Sequence, residues 1–252
     1  MLWSWHLLII VSLTFAVKGI AAKANSTEAA AVKTTVKSDG KIKTKVSEGK
    51  NYKLTYFNVR GRAEVIRLLF ALANVSYDDN RITRQEWTSL KPKMPYGQVP
   101  VLEENGKLLA QSHAIERYLA RNFGFMGSNA WEAAKIEELM IGTEGLWEKL
   151  LKWAHGSNET EKEELLTELE KDEISSFLTR YEGFLTSSSS SYLVGKKISL
   201  ADLTLFNVIK TFVEYLPADY LKQYPKLNKF MTKIGSNPQI KKWIEMRPKT
   251  NF

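Results

Sequence analysis

The chain of 252 residues contains no cysteine, and its three histidines are His6, His113 and His155. The absence of cysteine excludes disulfide bonds, thiolate metal sites and a cysteine nucleophile. The histidines show neither the spacing of a zinc site nor a pattern that suggests a Ser-His-Asp triad. We therefore expect His113 and His155 to be surface or packing residues, and we expect chemistry that uses other groups and no bound metal.

The sequence also lacks an apolar run of the roughly twenty residues that a membrane-spanning helix needs. The apolar run at residues 7–17 has instead the length of a secretory signal core, although the usual positive start is missing. Small residues follow it, so cleavage is expected after Ala22 or Ala24. We interpret residues 1–24 as a signal peptide and expect the mature protein to be secreted into the extracellular space.

Residues 25–50 lack aromatic side chains and are rich in Lys, Thr, Ser, Ala and Val. A segment of this composition cannot bury enough apolar surface to offset the entropy of ordering, so we expect a flexible extension. Residues 23–50 carry +4 of the net charge of +8 and Lys18 adds one more, while the remainder has mixed-sign segments. The charge distribution therefore predicts no nucleic-acid groove.

Sequons for N-glycosylation occur at Asn25, Asn74 and Asn158. A single sequon is weak evidence, but a secretory leader gives all three more weight. Asn25 lies in the extension, Asn158 in a polar stretch and Asn74 at the end of an expected helix. We predict glycosylation at these asparagines, and the sequence leaves open which of them carry sugar.

From Tyr52 onward the sequence alternates between strand and helix patterns. Short runs rich in aromatic and branched residues predict strands at residues 52–57, 77–82, 99–103 and 107–110. Good helix formers predict helices at residues 62–74, 85–91 and 112–122, the last capped by Ser112. The order βαβαββα predicts a small α/β layer with a mixed sheet, and we place this domain at residues 51–127.

After Gly127 the strand patterns nearly vanish. Helices are expected at residues 131–154, 161–185, 199–216, 224–234 and 238–246. A serine run at residues 187–191 marks a loop, and Ser199 and Asp202 have the spacing of a capping box. We therefore expect residues 128–252 to form an all-α domain.

Four segments resemble a known family: YKLTYFNVRGR at 52–62, PYGQVP at 95–100, QSHAI at 111–115 and SLAD at 199–202. Together they resemble the sigma class of glutathione transferases, which includes the glutathione-dependent prostaglandin D synthases. The resemblance covers about residues 51–252 and implies a thioredoxin-like N-terminal domain followed by an all-helical domain. The leader and extension are unusual for this mostly cytosolic family and resemble those of secreted, glycosylated members from filarial nematodes.

The resemblance implies glutathione as cosubstrate and Tyr56 and Arg62 as catalytic residues. Tyr56 would donate a hydrogen bond to the thiolate, and Arg62 would orient Tyr56 or the thiolate. Gln111 and Ser112 would bind the γ-glutamyl end at a helix start, where backbone N–H groups favour a carboxylate. The implied glutathione-binding set is Tyr56, Arg62, Trp87, Lys91, Gln98, Val99, Pro100, Gln111 and Ser112. Trp87 and Lys91 would hold the glycine end, and Val99, before a cis Pro100, would pair with the cysteinyl amide.

One phenol donor nearly suffices for this chemistry. The thiol of glutathione has a pKa near 8.5, like free cysteine, and lowering it by two units takes about 2.7 kcal/mol. A hydrogen bond to a charged group is worth roughly 1.5–3 kcal/mol. Tyr56, with an ordinary pKa near 10, remains protonated and can donate. By pattern alone, a tyrosine at the end of a strand is more often a half-buried packing residue.

The resemblance further implies a homodimer, in which an aspartate of the partner subunit reaches the γ-glutamyl ammonium. The corresponding residues 141–145 read IGTEG and contain no aspartate. Glu144 from the partner subunit is therefore the candidate for this contact, and we expect the magnesium cluster of some sigma-class members to be absent. Tyr96 is expected near the dimer interface.

The helical domain would hold the second substrate, a small hydrophobic electrophile or, alternatively, prostaglandin H. Phe57 and Trp153 are the candidate residues of this electrophile pocket, with Trp147 and Phe252 as further aromatic residues. For each of them an ordinary core position is an equal alternative. Three functions stay open: conjugation of glutathione, isomerisation of prostaglandin H to D, and a non-catalytic crystallin-like or ligand-carrier role, against which the retained glutathione residues argue.

Overall fold

The computed structural model describes residues 50–156 and 158–250. The predicted signal peptide at residues 1–24, the extension up to residue 49, Asn25 and Phe252 lie outside the described residues. Within the described part of the chain, no helix is both long and apolar enough to cross a bilayer.

The N-terminal part of the described chain forms a four-stranded mixed sheet. Its strands are β1 (Tyr52–Phe57), β2 (Asp78–Ile82), β3 (Val101–Glu104) and β4 (Lys107–Ala110), in the order β2-β1-β3-β4. β1 pairs in parallel with β2, while the β1–β3 and β3–β4 pairs are antiparallel. The accompanying helices are α1 (Glu64–Ala73), α2 (Arg84–Leu90) and α3 (Ser112–Phe123). The predicted βαβαββα order is confirmed.

Helix α1 is the central buried helix of the molecule. Apolar residues cover nearly all of its circumference, and all residues from Glu64 to Phe70 are buried. It packs against α3 and against two helices of the second domain. The helix ends at Asn74, whose φ of 52° is a left-handed conformation that asparagine tolerates better than most residues.

The rest of the described chain is helical, as predicted. The helices are α4 (Ala130–Ile141), α5 (Glu144–Ala154), α6 (Glu159–Leu169), α7 (Ser175–Ser187), α8 (Leu200–Val213), α9 (Pro225–Gly235) and α10 (Pro238–Met246). Helices α8 and α10 are the two that contact α1. The architecture is thus a thioredoxin-like domain followed by an all-α domain.

Two of the expected helices are interrupted, which corrects the sequence prediction. The helix expected at residues 131–154 breaks at Gly142 and Thr143, where the Thr143 hydroxyl donates to the Met140 carbonyl at 2.8 Å. A threonine side chain that bonds to the backbone competes with the helix, and glycine is a weak helix former. The helix expected at residues 161–185 contains a wider π turn at Glu170–Ile174, which separates α6 from α7.

The predicted capping box at the start of α8 is confirmed. The backbone N–H and hydroxyl of Ser199 both donate to Asp202 Oδ2, at 2.8 and 2.7 Å. The second carboxylate oxygen accepts from the Leu193 backbone N–H at 2.8 Å. Asp202 is fully buried, and a buried carboxylate without hydrogen-bond partners is costly. These three hydrogen bonds therefore stabilise it. The box fixes the start of the helix that runs through the centre of the second domain.

Candidate active site

A groove of about 520 Å³ lies along one edge of the first domain, and we call it the main groove. It is lined by Phe57, Arg62, Trp87, Lys91, Gly97, Gln98, Val99, Pro100, Gln111, Ser112 and His113. Every predicted glutathione-binding residue of the first domain except Tyr56 belongs to this set. These residues come from four separate stretches of the sequence. The fold therefore brings the predicted glutathione-binding residues of these stretches together in one groove.

The Tyr56 phenol lies beside the main groove, at the carboxyl end of β1. Its oxygen accepts a hydrogen bond from the Arg62 backbone N–H at 3.2 Å. Burial raises the pKa of Tyr56, while this backbone hydrogen bond and the nearby Arg62 and Arg67 charges act in the opposite direction. The phenol is therefore protonated at neutral pH, and it can donate its proton to an anion.

Gly61 provides the space for the Tyr56 hydroxyl. A Cβ atom at this position would lie 2.6 Å from the phenol oxygen, which is closer than real Cβ contacts come. The residue also has a φ of 41°, a conformation that glycine adopts without the usual steric cost. The turn between β1 and α1 thus depends on glycine for two separate reasons.

The guanidinium of Arg62 binds carboxylates of α5. Its Nη1 atom contacts Glu144 at 3.3 Å, and its Nη2 atom contacts Glu148. Arg62 was expected to orient Tyr56 or the thiolate, and the group of Arg62 that contacts Tyr56 is its backbone N–H. The catalytic role of Arg62 stays a prediction.

The start of α3 forms another wall of the main groove. Gln111 occupies the N-cap position and Ser112 is the first helical residue, which corrects the expectation that Ser112 is the cap. Gln111 has φ 71° and ψ 115°, a sparsely populated conformation that surrounding structure must maintain and that clusters at functional sites. The Val99–Pro100 peptide bond in the adjoining wall is cis, as the resemblance implied.

Aromatic and basic side chains form the opposite part of the lining. The ring centroids of Trp87 and Phe57 are 5.7 Å apart in an edge-to-face arrangement. A capping box between Thr83 and Glu86 fixes the start of α2 and hence the position of Trp87. Lys91 follows α2 and supplies a positive charge at this end of the groove.

Among the predicted residues, His113 has the environment that differs most from the one expected from the sequence. Its Nδ1 atom contacts Glu116 Oε2 at 2.8 Å, and its Nε2 atom lies 2.8 Å from Glu144 Oε1. The hydrogen bond to Glu116 and the close Glu144 carboxylate raise the pKa of His113 to about 9. The expectation of a plain surface or packing residue is therefore wrong. The His113–Glu116 spacing of three residues, directly after Ser112, is the sequence signal that could have revealed the pair.

Glu144 was expected to act across the dimer, and its carboxylate is engaged within its own chain. It contacts His113 and Arg62 at the start of α5. Burial would raise the pKa of Glu144, but His113 and Arg62 outweigh this effect and hold the pKa below its usual range. A contact with a ligand bound to the partner subunit stays a prediction.

A second cavity of about 510 Å³ adjoins the Tyr56 phenol. Its lining includes Tyr56, Phe57, Val59 and Ile82 from the first domain, Leu151 and Ala154 from α5 and His155 directly after it, with Asn58, Thr83 and Arg84 as polar members. We call it the apolar cavity because these walls are largely hydrophobic. Phe57 lines both this cavity and the main groove, so the two spaces lie on either side of a residue that directly follows Tyr56.

The two predicted pocket residues do not share a cavity, which corrects that expectation. Trp153 is buried and packs edge-to-face on Tyr215, with ring centroids 4.6 Å apart, in the wall of a separate cavity of about 450 Å³. Trp147 is also buried, beneath the Glu144 contacts. The residues of this part of the chain that line the apolar cavity are Leu151 and Ala154 of α5 and His155 directly after it. Their spacing of three and four residues is the helical pattern that identifies this face.

Two of the predicted glycosylation sites lie at the described surface. Asn74 is exposed at the end of α1. Asn158 is exposed at the N-cap of α6, where its side-chain oxygen accepts from the Glu161 N–H at 2.9 Å. A sugar attached to the Asn158 nitrogen leaves that oxygen free to cap. Modification at both positions stays a prediction.

Among the described residues, no group of three or more histidine, aspartate or glutamate side chains is arranged to hold a metal ion. The absence of a metal, like that of the magnesium cluster, stays a prediction. The described site contains the Tyr56 phenol, the Arg62 and Lys91 cations, the His113 imidazole and the backbone groups at the start of α3.

Comparisons with known proteins agree with this architecture. Residues 52–121 match the N-terminal domain of glutathione S-transferase, and residues 144–247 match its C-terminal domain. Glutathione S-transferase 1 of Ascaris suum is 39% identical over 80% of this chain and 98% of that protein. The hematopoietic prostaglandin D synthase of Gallus gallus is 37% identical over 79% of this chain and 98% of that protein. The solved sigma class enzyme of Fasciola hepatica is 32% identical with a TM-score of 0.74, covering 81% of this chain and 99% of that structure.

The fold and the groove define a two-domain, thioredoxin-like protein that uses glutathione as cosubstrate. The chain belongs to the glutathione S-transferase family, as a sigma- or nu-type member related to prostaglandin D synthase.

Proposed function

We propose that this protein is an enzyme that conjugates glutathione to small hydrophobic electrophiles, with Tyr56 stabilising the thiolate. The observation that carries the proposal is the position of the Tyr56 phenol, which the Arg62 N–H holds in the wall of the apolar cavity, next to the Phe57 that also lines the main groove. A nucleophile bound in the groove and an electrophile bound in the cavity would meet at this phenol. Bringing the two reactants together in this way lowers the entropic part of the barrier.

The groove offers a complementary group for each part of glutathione. The γ-glutamyl carboxylate would bind at the start of α3, where the backbone of Gln111 and Ser112 presents N–H groups. The cysteinyl amide would pair with the backbone of Val99, beside Pro100, and Gln98 would line the same side. The glycine carboxylate would face Lys91 and the indole of Trp87, which line the same groove.

Replacing Tyr56 by phenylalanine tests the catalytic part of the proposal. Tyr56→Phe removes the donor but keeps the ring, so retention on immobilised glutathione should be nearly unchanged. Turnover of a chlorodinitrobenzene substrate should fall by one to two orders of magnitude, which corresponds to about 1.4–2.7 kcal/mol. Tyr192→Phe, a matched change whose ring lies 4.0 Å from the Lys233 ammonium, should leave turnover unchanged. Wild-type turnover in Tyr56→Phe would remove Tyr56 from the mechanism.

A second candidate reaction is the isomerisation of prostaglandin H to prostaglandin D. It is favoured by the 37% identity to a hematopoietic prostaglandin D synthase over nearly the whole of that protein. The same thiolate would act on the endoperoxide in the apolar cavity. Rates of isomerisation and of conjugation, measured on one purified sample, discriminate the two reactions. Glutathione binding without either reaction would favour a crystallin-like or ligand-carrier role.

We also propose that the chain is secreted and glycosylated. The proposal rests on the apolar run at residues 7–17 and on the sequons at Asn25, Asn74 and Asn158. Residues 1–24 would be removed, residues 25–50 would form an extension, and residues 51–127 and 128–252 would form the two domains. N-terminal sequencing of protein from the medium of a eukaryotic host would locate the cleavage. A mass unchanged by an endoglycosidase would contradict the glycosylation.

We further propose a homodimer. The side chain of Tyr96 is 77% exposed, and its φ of 58° holds it in a tight turn at the protein surface. A large exposed aromatic side chain on a fixed backbone suits an interface. Sedimentation should give twice the monomer mass, and a monomeric mass would contradict the proposal.

A further inference from the structure

One imidazole lies between two carboxylates at the wall of the main groove. His113 reaches Glu116 through Nδ1 and Glu144 through Nε2, each at 2.8 Å. Glu144 in turn contacts Arg62 at 3.3 Å. We call the series Glu116–His113–Glu144–Arg62 the His113 bridge. It joins the start of α3, the start of α5 and the turn between β1 and α1.

The buried end of the bridge requires a positive charge. Glu116 is only 3% exposed, and an ionised carboxylate at such a position is costly unless it is paired. Burial raises the pKa of Glu116, whereas His113 acts in the opposite direction. The imidazole, whose pKa the same contacts raise to about 9, is thus an imidazolium at neutral pH.

The other end of the bridge leads to the phenol. The Arg62 guanidinium is held by two carboxylates of α5, Glu144 and Glu148. The backbone N–H of the same residue donates to the Tyr56 oxygen at 3.2 Å. A shift of Glu144 would therefore move the Arg62 side chain, and with it the backbone group that orients the phenol.

We propose that His113 is a positioning residue, which fixes Glu144 and Arg62 and thereby holds the Tyr56 phenol where the thiolate forms. The inference rests on the proposed function. A charge-assisted hydrogen bond depends steeply on geometry, so a loosened phenol stabilises the thiolate less. Loss of the bridge should therefore raise the pKa of bound glutathione. A merely structural role would lower the stability of the fold and leave that pKa unchanged.

The ionisation of bound glutathione can be followed directly in this protein. The chain contains no cysteine, so the ultraviolet absorbance of a thiolate in the complex comes from glutathione alone. Full-length wild type and variants would be saturated with glutathione and titrated between about pH 5 and pH 8, where free tyrosines stay protonated. In wild type we expect a thiol pKa well below 8.5, the ordinary value.

Three variants break the bridge at different points. His113→Leu removes the imidazolium, and Glu144→Gln removes the charge that His113 and Arg62 share. The double variant His113→Leu with Glu116→Leu removes the buried carboxylate as well, which protects folding because no unpaired charge remains. Each should raise the pKa of the bound thiol by about half a unit to one unit, or about threefold to tenfold less thiolate at pH 6.

A matched control lies on the same helix. Glu137 also joins α3 to a helix of the second domain, through contacts with Arg117 at 3.6 Å and Arg121 at 2.9 Å. Arg117 also donates to the His113 carbonyl at 3.3 Å, so the control removes the outer contact: Arg121→Gln, on α3, leaves the His113 bridge intact and should keep the wild-type thiol pKa. A general weakening of contacts between α3 and the helical domain would instead affect this variant equally.

The outcomes separate the two proposals. A wild-type thiol pKa near 8.5 would contradict the proposed function itself. A lowered wild-type pKa that stays lowered in the folded double variant would overturn the positioning role. Kinetics give a second readout, since kcat at fixed pH should fall while the KM for glutathione changes little. A change confined to KM would assign His113 to binding and would also overturn the proposal.

Combining His113→Leu with Glu144→Gln provides an internal check. If both residues act through one bridge, the second substitution should add little to the thiol pKa shift of the first. Fully additive shifts would show two independent effects on the thiolate and would contradict a continuous bridge.

Discussion

The Tyr56 hydroxyl and the backbone of Gly61 are in close contact, and this contact sets the position of the phenol. A Cβ atom on Gly61 would lie 2.6 Å from the hydroxyl oxygen, and the φ of 41° is unfavourable for other residues. The donor of the proposed active site therefore lies over a position that tolerates no side chain. Its other fixed contact is the Arg62 N–H on the next residue.

Gly61→Ala should impair turnover and stability together. The added methyl group displaces the phenol, so we expect turnover to fall at least about tenfold, or about 1.4 kcal/mol. The backbone strain should lower the free energy of unfolding by about 1–3 kcal/mol. Steady-state kinetics and denaturant unfolding measure the two effects.

Gly106→Ala is the control for the effect of backbone strain without a displaced phenol. Gly106 has a φ of 82°, but a Cβ atom there would meet nothing within 4 Å. This variant should lose stability and keep its turnover. Equal turnover in both variants would show that the phenol position is not set by Gly61.

Residue-level prediction from sequence succeeded where a residue acts within a short segment. Arg62, Gln98, Gln111 and Ser112 occur in local motifs, and the structure brings them to the same groove. Prediction failed for His113, because its meaning depends on Glu144, thirty-one positions further along the chain and in the other domain. The sequence of α3 alone contains only one of the two residues of that contact.

At the scale of elements, the break between α4 and α5 positions the His113 bridge. The sequence pattern predicted one continuous helix, since a helix can tolerate glycine at a cost of about 1 kcal/mol each. The structure ends α4 at Ile141, and Glu144 begins a new helix that faces His113 and Arg62. The decisive contact is the bond from the Thr143 hydroxyl to the Met140 carbonyl, which composition and periodicity do not encode.

The capping box of α8 should be the most costly helix start to disrupt. Asp202→Ala leaves the N–H groups of Leu193 and Ser199 and the Ser199 hydroxyl without their acceptor in a buried site. We expect the free energy of unfolding to fall by about 2–4 kcal/mol, because buried donors without partners are expensive. Denaturant unfolding at constant pH measures the loss.

The capping box of α2 provides the comparison, since it uses the same residue pattern at the surface. Glu86 accepts from the Thr83 N–H at 2.7 Å, but solvent can replace these bonds when the carboxylate is removed. Glu86→Ala should therefore lower the free energy of unfolding much less than Asp202→Ala does. Losses of equal size would mean that burial does not decide the energetics of these caps.

At the scale of the whole molecule, buried charges of the first domain are satisfied by the second. Glu64 of α1 is fully buried and accepts from Trp243 Nε1 at 2.9 Å and from Arg247 Nη1 at 2.5 Å. The His113 bridge makes a similar connection between α3 and α5. The order of elements and the two domains followed from periodicity, but these connections and the apolar cavity arise only when the domains pack together.

The stability of the molecule should therefore depend on the charge of His113. Its pKa is raised from 6.5 to about 9 in the folded chain, chiefly by the hydrogen bond to Glu116 and the close Glu144 carboxylate. The folded state thus binds this proton more tightly than the unfolded state does. The resulting stabilisation is complete below about pH 6.5 and is lost as the pH rises through about 9. The charged groups that face the imidazole or its partners are Glu116, Glu144, Arg62 and Arg117.

The measurement compares wild type with the double variant His113→Leu and Glu116→Leu, unfolded by denaturant at pH 6 and at pH 9. Between pH 6 and pH 9, the free energy of unfolding should fall by about 1–2 kcal/mol more in wild type than in the variant. This figure is reduced for solvent screening because the imidazole is partly exposed. Other titrating groups contribute equally to both proteins and cancel in the difference. A parallel decline of the two proteins would mean that folding does not raise the pKa of His113. In that case Glu116 would itself carry the proton once the imidazole is neutral, because a buried carboxylate beside a second carboxylate does not stay ionised without a cation between them.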